Sequence, residues 1–215
     1  MSDNINGVAQ RREPRTAAEV IAEREERLRT DPEYAAQVQA VADEHAAVAA
    51  AMRRAERPVL DDLAKVGINL DSVWDLYNFP EMRERAIPVL LRHLALDYPD
   101  RVVQGIGQGL ADKSARPWWD ELKALYLKPQ REAVQDRLAG ALAECAKREH
   151  YDDLLAFIEN AALGSSRIYF VRPINRIGNR ISAGQGRRAI ERLVRDPVLG
   201  REASKVLKGL SRNEG

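Results

Sequence analysis

The chain has little of several residue types that form cross-links or carry chemistry. Its 215 residues contain one cysteine, three histidines and 6% aromatic residues. The lone cysteine, Cys145, excludes an internal disulfide and favours a reducing compartment. No apolar run reaches the roughly 18 residues that a membrane-spanning helix needs, and residues 1–15 lack the apolar core of a secretion signal. We therefore expect a cytoplasmic protein.

The few histidines also argue against most catalytic and metal sites. His45, His93 and His150 lie far apart in the sequence, and no Cys/His pair has metal-ligand spacing. None of them has a sequence context that nominates a base for a Ser/His/Asp arrangement. Cys145 lies on an apolar helix without an activating partner, so we expect it to be buried and unreactive. The sequence thus predicts no metal and no cofactor, and it favours a protein without enzymatic activity.

Helical periodicity recurs at a nearly constant interval from residue 81 onward. The starts of successive first helices are 34 to 36 residues apart, and those of second helices 30 to 36. Such a period indicates stacked helix pairs, because one pair cannot bury its own apolar face. We therefore predict an all-α fold, a right-handed α-solenoid of about four helix pairs. The predicted first helices open near Glu81, Pro117, Tyr151 and Gly186, and the second helices near Arg101, Arg131, Arg167 and Arg201.

These repeats resemble HEAT repeats. The resemblance rests on the arginine that opens each second helix, as in Arg101-Val102-Val103, and on Pro88 inside a first helix. Residues 57–100, with Ser72-Val73-Trp74-Asp75-Leu76 and Tyr98-Pro99-Asp100, are similar to a group of small bacterial HEAT-like proteins without an assigned activity. The resemblance implies the fold and a binding role, because such solenoids serve many partners.

The segments before the repeats divide into three parts. We expect a disordered tail at residues 1–15, a helical arm at 16–57 and capping helices at 58–80, followed by the solenoid at 81–215. Asp31-Pro32-Glu33 is typical of a helix start.

Three further signals set the boundaries between these parts. Arg57-Pro58 predicts a helix break. Gly67 is expected to end the next helix, and Asp71 to cap a short helix at 72–77 that covers the open end of the stack.

The predicted arm carries a line of side chains at heptad spacing. Its residues follow one another at steps of 4, 3, 4, 3 and 4, with one polar member, His45. Two interpretations are open: the arm packs on its own solenoid, or it binds a partner or a second copy of the chain. The line consists of Tyr34, Val38, Val41, His45, Val48 and Met52.

Charge is unevenly distributed along the chain. From residue 160 onward there are 12 Lys/Arg and 4 Asp/Glu, a balance of +8, whereas the preceding residues hold 22 and 29, a balance of −7. Arg172, Arg176 and Arg180 recur every fourth residue and so share one helix face, with Arg187 and Arg188 close in sequence. This surface fits a solvated face, an acidic protein partner or a nucleic acid.

Two glycine-rich stretches are candidates for phosphate loops. Gly105-Ile106-Gly107-Gln108-Gly109 has the wrong spacing for a nucleotide fingerprint and lies inside a predicted helix, where we expect glycines to allow close packing. Residues 182–188 join two predicted helices, so either they form a simple turn or their amides and arginines face an anion.

One enzyme family resembles part of the second predicted helix pair. Lys113-Ser114 followed by Trp118-Trp119-Asp120 is similar to the tandem-tryptophan segment of bacterial HEAT-like DNA alkylation glycosylases. The resemblance implies Trp118 or Trp119 near a DNA lesion and an aspartate three residues further on. Lys123 occupies that place and Glu121 is two residues away from it. The tryptophans are otherwise expected to anchor the core.

The sequence therefore predicts a non-catalytic scaffold. Its concave face, basic toward the C-terminus, is expected to bind a partner protein with an acidic surface. The alternative is a nucleic-acid-binding protein related to the glycosylases, and a third possibility is a dimer formed through the line of residues 34–52.

Overall fold

Every regular element in residues 15–213 is a helix, and no strand occurs in this range. The structure, a computed structural model, describes these residues, with side chains for 15–209. The predicted all-α class is confirmed. The predicted disordered tail lies outside the described residues except for Arg15. The chain divides into two compact units, residues 1–51 and 52–215.

The described part of the first unit consists of helix α1, Ala17–Thr30, and the beginning of α2, Pro32–Lys65. Thr16 caps α1 in a reciprocal capping box with Glu19. One carboxylate oxygen of Asp31 accepts a hydrogen bond from the Tyr34 amide at 2.9 Å, which confirms the predicted helix start. None of residues 15–51 is buried.

Helix α2 continues through Pro58, so the predicted break at Arg57-Pro58 is wrong. A proline inside a helix removes one backbone hydrogen bond and costs about 3 kcal/mol. Here Val59 and Leu63, on the following turn, are fully buried, and their burial offsets that cost. The helix ends before Gly67, whose φ of 76° gives the left-handed conformation that was predicted.

The segment after α2 is a 3₁₀ helix, Val73–Asn78, rather than an α-helix. Its cap is Ser72, not the predicted Asp71, since the Ser72 hydroxyl accepts from the Trp74 amide. The buried carboxylate of Glu56 on α2 also accepts from the Val73 amide at 3.2 Å. Glu56 of α2 and the Ser72 cap therefore fix where this segment begins.

Eight further α-helices follow. Their starts lie within two residues of the predicted ones except near Arg167, where a 3₁₀ segment, Ala161–Phe170, precedes the helix and is interrupted by Gly164 at φ 62° and ψ −140°. Shorter 3₁₀ segments span Pro80–Met82, Lys113–Trp118 and Arg148–His150. The helices are α3 Arg83–Leu94, α4 Asp100–Leu110, α5 Trp119–Tyr126, α6 Glu132–Cys145, α7 Tyr151–Glu159, α8 Val171–Ile181, α9 Gln185–Glu191 and α10 Gly200–Asn213.

These helices pack mostly against neighbours in chain order. Helix α3 packs on α4, α4 on α6, α5 on α6, α7 on α8, and α9 on α10. The predicted apolar stripes supply much of the core, as in Leu90 and Ile106, which are fully buried. A cluster of three buried rings, Tyr126, Phe157 and Phe170, lies between successive helices with centroids 5.1 to 5.4 Å apart. The sequence pattern did not single out this cluster.

Polar side chains link residues that are about one helix pair apart in sequence. Several of these ion pairs join residues separated by 29 to 31 positions. That separation is close to the shortest interval of the sequence repeat, 30 residues. The pairs include Lys123–Asp153, Arg83–Asp112 at 2.7 Å, Asp100–Arg131 at 3.2 Å, Arg167–Asp196 at 3.4 Å and Arg172–Glu202 at 2.8 Å.

The glycines of α4 allow close helix packing, as predicted. A Cβ atom on Gly109 would lie 2.7 Å from Cδ1 of Leu90 and 2.9 Å from Cδ2 of Leu76. On Gly105 it would lie 2.5 Å from Cγ1 of Val73. These distances are below van der Waals contact, so α4 presents bare backbone to its neighbours.

Helices α8 and α9 approach even more closely. A Cβ atom on Gly186 would lie 2.2 Å from the carbonyl oxygen of Asn175, and one on Gly178 would lie 2.7 Å from Cα of Gly186. Because the obstacle is backbone, rotation of a side chain cannot relieve it. The contact therefore requires glycine at both positions.

We predict that Gly186→Ala lowers the free energy of unfolding by about 1–3 kcal/mol, the usual cost of overpacking. Gly209→Ala is the matched control, because nothing lies within 4 Å of its added Cβ in α10. That control should be neutral or stabilising by up to about 1 kcal/mol, as alanine favours a helix. Urea unfolding of both variants measures the difference, and equal stabilities would contradict the proposed backbone contact.

Candidate functional site

A groove of about 910 Å³ runs along one side of the second helices of successive pairs. Helices α4, α6, α8 and α10 each contribute side chains to it, together with the end of the 3₁₀ segment before α8. Its lining combines cationic, anionic and apolar groups. The lining residues are Gln108, Ala111, Arg137, Gly140, Ala143, Glu144, Ile168, Tyr169, Arg172, Pro173, Arg176 and Glu202.

Four of these residues lie one on each of α4, α6, α8 and α10. Gln108, Arg137, Arg172 and Glu202 are the ninth, sixth, second and third residues of their helices, so the groove takes a different part of each helix. The search for charge clusters in the sequence missed Arg137, because it is the only Lys or Arg of α6.

Arg137 lies flat against α4. A Cβ atom on Gly107 would come within 2.4 to 2.5 Å of Cβ, Cγ and Cδ of Arg137, so the arginine stem occupies the space that a side chain on Gly107 would need. The Nε of Arg137 is buried and has no hydrogen-bond partner among the described residues. A buried donor without an acceptor costs about 1–3 kcal/mol. This N–H is closed to solvent, so a ligand in the groove cannot contact it.

In the structure, the arginines of the predicted basic surface lie in different places. Arg172 and Arg176 line the groove, and Nε of Arg172 donates to Glu202 at 2.8 Å. Arg180 is exposed on the same helix but does not line the groove. Arg188 lines a separate cavity of about 230 Å³ with Tyr151 and the α7 and α9 side chains around it.

The turn between α8 and α9 already contains an acceptor for its amides. The side-chain oxygen of Asn179 accepts from the amides of Gly186 at 3.0 Å and of Arg187 at 3.3 Å. Gly184 has a φ of 74°, which only glycine adopts readily. The oxygen of Asn179 therefore stands where an anion was expected, and the geometry favours the interpretation as a turn.

Both tryptophans of the glycosylase-like segment belong to the packing of the second helix pair. Trp118 is half-buried against the core, and Trp119 is buried. The Trp119 ring stacks on His150 with centroids 3.7 Å apart and planes inclined by 8°, and its Nε1 donates to Asp153 at 3.0 Å. Lys123 pairs with the other oxygen of Asp153. Trp119 is therefore held by neighbours on two sides.

The cluster of Trp119, Lys123, His150 and Asp153 shifts the pKa values of two of its members. Burial alone would raise the pKa of Asp153, but hydrogen bonds from Lys123 and Trp119 outweigh it and lower that pKa. Burial lowers the pKa of His150 because the stacked ring is poorly solvated when charged. The cluster thus favours an ionised Asp153 beside a neutral His150.

The remaining predictions concern Cys145, metal sites and membrane-spanning helices. Cys145 is fully buried, and burial raises the pKa of its thiol to about 12, so the thiolate required of a nucleophile is scarce. In the part of the chain that the structure describes, no group of three or more His, Cys, Asp or Glu side chains is placed to hold a metal ion. Among the helices of residues 15–213, none combines the length and apolar character needed to cross a membrane.

Comparison of the chain with known protein families, curated proteins and solved structures finds no significant match. The likeness to HEAT repeats therefore stays a resemblance of sequence pattern.

We predict that the stability of the protein falls with decreasing pH through His150. Because the folded state depresses the pKa of His150, the unfolded state binds the proton more readily. The contribution of His150 is present above its unfolded pKa of about 6.5 and is lost as pH falls below it. His150→Phe keeps a ring for Trp119 to stack on but cannot bind a proton.

Urea unfolding of both proteins between pH 8 and pH 5 tests this, and the unfolding free energy of the wild type should fall more steeply than that of the variant. Parallel pH profiles would show that His150 has the same proton affinity in both states.

Proposed function

We propose that residues 81–215 form a right-handed α-solenoid of about four HEAT-like helix pairs, preceded by a helical arm. The support comes from two similar intervals: that between the starts of corresponding helices and that between the ion-paired residues 29 to 31 positions apart. In a stack of repeats each unit contacts the next, so these intervals should coincide.

We propose further that the protein is a non-catalytic scaffold and that its groove binds an acidic surface of a partner protein. The observation that carries this proposal is Arg137, which is partly exposed and lines the groove. Arg172 and Arg176 place two more guanidinium groups along the same groove. A carboxylate is the natural acceptor for such planar donors.

The composition of the groove favours a protein over a nucleic acid. Glu144 and Glu202 line it together with the arginines, and carboxylates repel a phosphate backbone. Ile168, Tyr169 and Pro173 add apolar and aromatic surface. Tyrosine and arginine are enriched at the centres of protein–protein interfaces, where they contribute most of the binding energy.

The glycosylase-related alternative receives less support from the site. Trp119 is buried and bonded to Asp153, and Lys123 stands where the resemblance implies a carboxylate. A lysine there opposes the developing positive charge of a sugar cation rather than stabilising it. An experiment therefore has to distinguish protein binding from nucleic-acid binding without catalysis.

We predict that the double variant Arg172→Gln with Arg176→Gln weakens binding of the native partner at least about tenfold, because interface arginines commonly contribute more than 1 kcal/mol each. The partner is first captured on the immobilised wild-type chain, identified by mass spectrometry and purified. Its affinity for each variant is then measured by titration calorimetry.

Arg195→Gln with Arg201→Gln is the matched control, because it removes the same charge from two exposed arginines that do not line the groove. If the control weakens binding as much as the groove variant does, net charge rather than the groove determines affinity.

Duplex DNA separates the two functions. We expect little retention of the wild-type chain on immobilised duplex at physiological salt. Tight retention that falls steeply with salt and is lost in the Arg172/Arg176 variant would instead support the nucleic-acid-binding alternative.

A further inference from the structure

The centre of the apolar line along α2 is exposed, whereas Tyr34, Val38 and Met52 are partly buried and the Arg27 guanidinium lies 4.1 Å from the centroid of the Tyr34 ring. Val41 and Val48 keep 51% and 54% of their surface accessible, and none of residues 15–51 is buried. The helix is continuous from Pro32 to Lys65, so the heptad spacing read from the sequence is the spacing of one helix face. A heptad line of this kind is stabilised when a second helix covers it.

We propose that α2 pairs with α2 of a second copy of this chain, in antiparallel orientation. The steps of 4, 3, 4, 3 and 4 read the same in both directions. A second copy in antiparallel orientation therefore presents the same spacing, so that each residue of the line lies opposite a residue of the line in the other copy. In this register Tyr34 meets Met52, Val38 meets Val48, and Val41 meets His45 of the other copy.

The charges along α2 favour the antiparallel orientation. Residues 31–44 contain four carboxylates and no lysine or arginine. Residues 45–57 contain three arginines and one carboxylate, Glu56, which is buried and binds the Val73 amide. In the antiparallel register Arg53 and Arg54 of one copy lie beside Asp31 and Glu33 of the other, and Asp43 and Glu44 lie near the two-fold point, whereas a parallel copy places all like charges together.

Small residues beside the line allow the two helices to approach. Ala35, Ala42 and Ala49 recur at intervals of seven, each directly following a member of the line. They form a strip along the same edge of the helix face, without long side chains to hold a second helix away. A second copy presents the same strip, so the two strips can lie together across the two-fold axis.

Sedimentation or light scattering on the full chain tests whether the pair forms. The wild type should be a dimer, and Val41→Glu should weaken it at least about a hundredfold, because two copies of a buried valine are lost. Ala36→Glu adds the same charge on the opposite face of α2 and should leave the dimer intact. A monomeric wild type, or equal effects of the two variants, would overturn the proposal.

Circular dichroism separates a lost dimer from a lost fold. Val41 is not part of a buried core, so the variant should keep the helical signal and thermal transition of the repeats. A monomer with an intact helical signal is the expected result for Val41→Glu. If Val41→Glu unfolds the chain instead, the line is part of an intramolecular core and the proposal fails.

Cysteine cross-linking decides the orientation. In a Cys145→Ala background, Val38→Cys and Val48→Cys are prepared as separate proteins. In the antiparallel pair the two residues 38 are about 15 Å apart along the axis, ten residues at 1.5 Å each, too far for a disulfide. Each protein alone should therefore stay reduced under mild oxidation, and the mixture should form a 38–48 disulfide. Disulfides within each protein alone would show a parallel pair.

Glu44 gives a second measure of orientation. It lies next to the two-fold point of the antiparallel register, so the two Glu44 carboxylates repel one another. Glu44→Gln should tighten an antiparallel dimer roughly twofold, the effect of removing one like-charge pair. In a parallel pair Glu44 faces Ala49, and an unchanged dimer affinity would contradict the antiparallel register.

Discussion

Residues 83–213 depend on one constraint: no helix buries its apolar face alone, so each must pack against its neighbours. Ion pairs between residues 29 to 31 positions apart accompany this packing. The Arg167 guanidinium is the clearest case, because it is buried and also donates to the carbonyl oxygens of Ile158 and Gly164. A buried cation must find acceptors, and Asp196 supplies one only when the segment between α9 and α10 is in place. Such pairs fix which neighbour is correct more than they add stability.

Close packing of the helices also determines the candidate site. Because Gly107 has no side chain, the stem of Arg137 lies against α4, and its Nε becomes buried beside the groove. A larger residue at position 107 would push the stem outward and return the guanidinium to solvent. The same requirement for bare backbone recurs at Gly178 and Gly186, where it aligns α9 with α8. Gly107, from the stretch that resembled a nucleotide motif, thus positions an arginine, and Gly178 and Gly186 position two helices.

The sequence predicted the helix starts well because the apolar spacing that defines each helix is local. It failed where distant packing decides the outcome. Burial of Val59 and Leu63 carries α2 through Pro58, and Glu56 reaches a backbone amide 17 residues away. The arginine surface was only partly predictable for a related reason: the four-residue spacing places Arg172 and Arg176 together, but nearness in sequence does not place Arg188 with them. Arg137 was not predictable, since it is the only Lys or Arg of α6 and nothing adjacent to it signals a site.

The arginines of the groove differ in what a partner gains from them. Arg172 is 75% exposed and already paired with Glu202, and such a pair contributes about 0–1 kcal/mol. Breaking this weak pair costs little, so Arg172 can turn to a carboxylate of the partner. The stem of Arg137 is packed against Gly107 of α4 and its Nε is closed to solvent. Its position is therefore fixed before a partner binds, so ordering Arg137 at an interface costs less conformational entropy than ordering the exposed arginines does.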